Sequence, residues 1–92
     1  MGMLKFKLVI AYDGAAWQGW QSQKSGLAVQ DQIEKALVRL FPSAPRLESS
    51  SRTDAGVHAL GMVAHFEIPR SDFRMPVRHL AIAINALLPD DI

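Results

Sequence analysis

Apolar side chains recur along this chain first at every second position, then at every third or fourth, then at every second and again at every third or fourth, and few folds accept that order. From Lys5 to Tyr12, Phe6, Leu8 and Ile10 alternate with Lys7 and Val9, which predicts a strand. Asp13-Gly14 stops it. From Ala28 to Phe41, Val29, Ile33, Ala36, Leu37, Leu40 and Phe41 fall along one face of a helix, with Glu34, Lys35 and Arg39 expected on the solvated side. Pro42 and Pro45 turn the chain into a short predicted strand over 46–50. Met62, Ala64, Phe66 and Ile68 alternate with Val63, His65 and Glu67, predicting a third strand that Pro69 closes. A second helix starts near Pro76, places Val77, Leu80, Ala81, Ile84 and Leu88 on one side, and stops at Pro89.

Strand, helix, strand, strand, helix is the order of an α+β, ferredoxin-like split β-α-β sandwich whose fourth strand would follow Asp91-Ile92 and is truncated or absent here. Either sequence absent from this chain supplies that strand, or an exposed edge invites pairing. In this plan the first two strands run the same way through a right-handed crossover and the third lies antiparallel between them. The loops after strands one and two then emerge at one end of the sheet. Tyr12, Asp13, Trp20 and Gln21 are thereby expected near Arg52 and Asp54.

Ninety-two residues, 49% apolar, suffice for one small domain. The chain has no cysteine, which excludes disulfides and thiolate metal sites and fits a reducing, cytoplasmic setting. No apolar run approaches the roughly 20 residues that span a bilayer, and Met1-Gly2-Met3-Leu4-Lys5 lacks the features of a secretory signal, so no membrane partner is expected. The net charge of +1 gives no argument for a nucleic-acid partner. Lys24, Arg52, Arg70, Arg74 and Arg78 fall in or beside loops and helix starts, where scattered cations are ordinarily a solvated face.

The segment Arg52-Thr53-Asp54-Ala55-Gly56-Val57-His58-Ala59 sets a carboxylate two residues after a guanidinium in a turn between two strands. Asp54 and Gly56 are ordinary turn formers, and a plain hairpin explains part of the pattern. It does not explain Arg52. A fixed cation favours an ionised carboxylate, and an ionised carboxylate is a potential nucleophile, so a structural turn and a reactive acid both stand at this point. Between the first strand and the first helix a loop carries Trp17 and Trp20; one is expected on the core and one toward a ligand.

Ser51 to Ala59, together with Tyr12-Asp13-Gly14 and Gly19-Trp20-Gln21, resembles the amino-terminal half of a TruA-type tRNA pseudouridine synthase. Further matches are Val29-Gln30, Glu34 and Ala36-Leu37 in the first helix, Val63 to Phe66, and Asn85-Ala86 leading to Leu88-Pro89. The likeness covers nearly the whole chain. Ser51 stands where the family more often has Gly, and Ala28 where it often has a capping Ser or Thr. The resemblance implies that residues 1–92 are a single catalytic, Asp-bearing domain and that a carboxy-terminal domain lies outside the chain. It implies isomerisation of uridine in the anticodon stem-loop of tRNA without a cofactor, by an enzyme that is a homodimer in the family. It assigns the catalytic carboxylate to Asp54 and a base-flipping or phosphate-contacting role to Arg52. Trp20 and Gln21 would line the cleft, and Tyr12, Asp13, Thr53, Gly56 and His58 would join the RNA-binding set. The family's base-stacking tyrosine falls beyond Ile92, and Tyr12 belongs to another motif. The isolated 92 residues are therefore expected to bind tRNA weakly and turn over little or no uridine.

Two other classes compete. A non-catalytic RNA-binding or dimerisation module would stack bases on aromatic residues of the sheet, but Phe6 and Phe66 lie on faces that alternate as core. A metal-dependent hydrolase would need ligand spacing that His58, His65 and His79 lack, while Asp90 and Asp91 fit a solvated turn and Asp31 complements the helix dipole.

Overall fold

A computed structural model describes residues 2–22, 24–49, 56 and 58–92. Its strands are β1 (Met3–Tyr12), β2 (Glu48–Ser49) and β3 (Ala59–Pro69), and its helices α1 (Val29–Leu40) and α2 (Val77–Asn85). Short 3-10 turns at Gly14–Ala16 and Arg70–Asp72 follow β1 and β3. The sheet order is β1-β3-β2, and β3 is antiparallel to both neighbours, so β1 and β2 flank it and run the same way. This is the α+β arrangement expected from the order of periods.

Register fixes which face is wet. Leu4↔Ile68, Phe6↔Phe66, Leu8↔Ala64 and Ile10↔Met62 pair on the inner face, whereas Lys5↔Glu67, Lys7↔His65 and Val9↔Val63 pair on the outer one. Val29, Ile33, Ala36 and Leu37 of α1 and Leu80 and Ile84 of α2 complete one core with that inner face. The spacings of three and four keep these side chains on one side of each helix. Phe6 stacks on Phe66 with ring centroids 5.4 Å apart and lies 4.9 Å from Phe73, so both phenylalanines face the core. The outer-face pairs carry no Phe, Tyr or Trp ring among the described residues, the rings on which a sheet-binding RNA module most often stacks bases.

Three local expectations are corrected. The second strand was expected over 46–50, but only Glu48 and Ser49 pair with β3; Ser50 lies outside the described residues. The reason is that α1 takes the backbone of Leu47. The Leu47 N–H donates to Glu34 Oε2 at 2.8 Å, and its carbonyl accepts from Gln30 Nε2 at 2.9 Å. Glu34 is accordingly no solvated-face residue. Its side chain is 14% exposed and Oε2 also accepts from Gln30 Nε2 and from Arg46 Nε, each at 3.1 Å. On α2, burial narrows to Leu80 and Ile84, and Val77 and Ala81 of the expected apolar side are exposed.

Ala28 precedes α1 without a side-chain acceptor, yet the first two amides of the helix have acceptors. Val29 N–H donates to the Gly19 carbonyl and Gln30 N–H to the Trp20 carbonyl, both at 3.0 Å. The preceding loop thus performs the capping that Ser or Thr ordinarily supplies. Gly19 allows it by taking φ of 81°, a conformation costly for any residue with a Cβ.

Candidate functional site

The site is built where β1 ends and β3 begins. Between the pairs Ile10↔Met62 and Tyr12↔Ala59, β1 advances two residues and β3 advances three, so Leu60 and Gly61 oppose Ala11 alone. Such a bulge increases twist and re-aims the strand ends. Beyond it, Asp13 caps the 3-10 turn, its Oδ1 accepting from Ala15 N–H at 3.0 Å. Trp17 N–H closes the turn on the Gly14 carbonyl at 3.0 Å.

Two described residues of the Arg52–Ala59 motif meet this turn. Gly56 N–H donates to the Trp17 carbonyl at 3.2 Å, with Gly56 at φ 79°. His58 Nδ1 accepts from Gly14 N–H at 2.9 Å and stands 3.1 Å from Asp13 Oδ1. From the other side, Asp13 N–H donates to the Asp91 carbonyl at 2.8 Å, which brings the residues after α2 to the same place. Asp13, His58, Leu60, Asp90 and Asp91 are among the residues that line an open cleft of about 490 Å³ there. Arg52, Thr53 and Asp54 lie outside the described residues.

The remaining predicted residues divide by burial. Asp13, Gln21, Gly56 and His58 are exposed. Tyr12 and Trp20 are 5% and 2% exposed, with rings stacked at 6.2 Å, and both belong to the core. This corrects the expectation that Trp20 lines the cleft, since its ring is enclosed in the core, whereas Tyr12, though buried, is among the residues that line it. Trp17 is the half-buried tryptophan of the loop, and its Nε1 is buried with no acceptor among the described residues. What sequence reasoning missed is the structural role of Gln30 and Glu34, which bind the Ser22 and Leu47 backbone to α1. Gln30 joins three segments, because its Oε1 also accepts from Ser22 N–H at 2.9 Å. A polar pair at positions four apart on a helix otherwise reads as surface, so only its long-range partners disclose this role.

No family model matches the chain. Among curated proteins, tRNA pseudouridine synthase A of Geobacter sulfurreducens is 50% identical over 90 residues, which are 98% of this chain and 36% of that protein. The enzymes of the same name from Geotalea daltonii and Pelobacter propionicus are 49% and 51% identical over the same shares. This chain is homologous to tRNA pseudouridine synthase A. It spans about a third of the length of the tRNA pseudouridine synthase A relatives it matches. The alignment runs through both sheet-end loops as well as the core, because the matched span leaves out only two of the 92 residues.

Proposed function

We propose that this chain supplies the carboxylate-bearing part of a tRNA pseudouridine synthase and that Asp54 is its catalytic residue. The observation that carries the reading is the 50% identity to tRNA pseudouridine synthase A over 98% of the chain. The meeting of Gly56 and His58 with the Asp13–Trp17 turn supports it, since it places the motif's outgoing arm at an open cleft.

In the reaction, the bond from the ribose carbon to the base nitrogen breaks, the base turns over, and a ring carbon joins the same sugar carbon. The proton displaced from that ring carbon is balanced by one gained at the freed nitrogen, so neither oxidant nor energy source is consumed. An ionised Asp54 serves either as nucleophile toward sugar or base or as the base that removes a sugar proton. Arg52, two residues away in sequence, favours the ionised form and contacts the flipped nucleotide or its phosphate. The uridine lies in the anticodon stem-loop, recognised largely by shape and backbone. Asp13, Gln21, Thr53, Gly56 and His58 flank it. The active protein is a homodimer that works in the cytoplasm, and the remaining length found in the relatives supplies the base-stacking tyrosine and most of the positive cleft.

The test is a chimera in which this chain replaces the corresponding 90 residues of the Geobacter sulfurreducens enzyme, assayed by tritium release from tRNA carrying 5-tritiated uridine. Release is expected from the chimera and little or none from the 92-residue chain alone. A folded chimera that holds tRNA yet releases no tritium would overturn the reading.

A further inference from the structure

We propose that Leu60 enters the RNA stack: it is an apolar wedge at the cleft that packs against the base beside the target uridine once that uridine has left. The proposal rests on the reading of this chain as part of a tRNA pseudouridine synthase, and it adds a substrate contact that the isomerisation chemistry does not name.

Leu60 is exposed because the fold takes it out of the core. Along β3, Ile68, Phe66, Ala64 and Met62 face inward at every second position. Unbroken alternation would send Leu60 inward next. The bulge opposite Ala11 inserts one residue, so Ala59, the partner of Tyr12, packs against the core instead. Leu60 is left 94% exposed, the most exposed of the large apolar side chains among the described residues. Bulges beside functional sites re-aim a side chain in this way.

Single exposed leucines are ordinary on protein surfaces. This one adjoins both the motif and an apolar strip. It follows His58 by two residues and lines the open cleft with His58 and Asp13. Next to it, Gly61 leaves the outer face low: a Cβ there would stand 3.8 Å from Val9 Cγ1. Val9 and its partner Val63 are exposed as well. Asp13, Asp90 and Asp91, which also line the cleft, carry carboxylates that disfavour a phosphodiester beside them. What this wall admits is therefore the neutral part of a nucleotide, its base. Leucine is among the side chains that proteins insert between base steps, and filling the opened step offsets part of the cost of extruding a base.

The test uses the chimera with anticodon stem-loop RNA that carries 2-aminopurine beside the target uridine, a probe whose fluorescence rises when its neighbour leaves the stack. Binding of the unsubstituted chimera should raise the fluorescence. Leu60→Ala should bind with affinity within a few-fold and melt at an unchanged temperature, yet lose most of the rise. Leu60→Met, which keeps an apolar side chain of similar reach, should restore it. Tritium release should divide the same way. Leu60→Ala should slow release about 10-fold or more from a paired uridine and much less from one facing a mismatch, because an unpaired base is easier to extrude. Three results would each overturn the wedge: no rise with the unsubstituted chimera, an equal rise with Leu60→Ala, or a lowered melting temperature with equal slowing on both RNAs. The last would assign Leu60 to a contact within the longer protein. The fluorescence does not depend on turnover. A chimera that opens the stack but releases no tritium would overturn the Asp54 reading and leave the wedge standing, and an equal rise with Leu60→Ala would leave the Asp54 reading standing.

Discussion

Single side chains bear unequal shares of this fold, and Trp20 bears a large one. Its ring is 2% exposed and stacked on Tyr12, and its carbonyl accepts the Gln30 amide at the start of α1. Trp20→Ala should therefore cost about 3–5 kcal/mol, the usual range for emptying an aromatic core position, which is a large fraction of the stability of a small domain. Urea unfolding of the two chains measures it, and a loss below about 1 kcal/mol would place the ring outside the core. Glu34 and Arg46 form an ion pair, but their weights should differ. The Arg46 side chain is 74% exposed, so removing it should cost less than about 1 kcal/mol. Glu34→Ala leaves the Leu47 N–H without its acceptor, and should cost about 1–3 kcal/mol. Equal losses in parallel melts would show that the ion pair, not the backbone contact, is what Glu34 contributes.

At the scale of elements, period and punctuation predicted what local sequence encodes. The alternation of β1 and β3 is legible because each strand has one wet face, and the register then follows from matching Phe6 with Phe66 and Ile10 with Met62. The α1 stripe is legible for the same reason. The brevity of β2 is not, because Leu47 gives its N–H and carbonyl to Glu34 and Gln30, side chains 13 and 17 residues away. The fates of the two tryptophans were hidden as well, since an irregular loop has no period to separate a core ring from a surface one. The meeting of the two loops was legible from strand order, but the contacts that make it, Gly56 to Trp17 and His58 to Gly14, are set by tertiary geometry alone.

The whole molecule is a sheet with both helices on one side and charged pairs on the other. Lys5 and Lys7 stand on β1, which pairs only with β3 among the described residues, and charges on an edge strand hinder unwanted pairing. No helix of the described residues is long and apolar enough to cross a membrane. The chain matches about a third of its relatives' length, and under the proposed function what it contributes to the synthase is the motif segment and the frame that holds its arms. One arm follows Leu47, gripped by α1, and the other leaves through Gly56 and His58. The most direct measurement is the single-turnover rate of Asp54→Asn in the chimera on uridine-containing tRNA, with tRNA affinity determined alongside. The account predicts that affinity stays within a few-fold while the rate falls by at least about 10²-fold, the lower range for removing a reacting acid or base; a rate within a few-fold of the unsubstituted protein would contradict it.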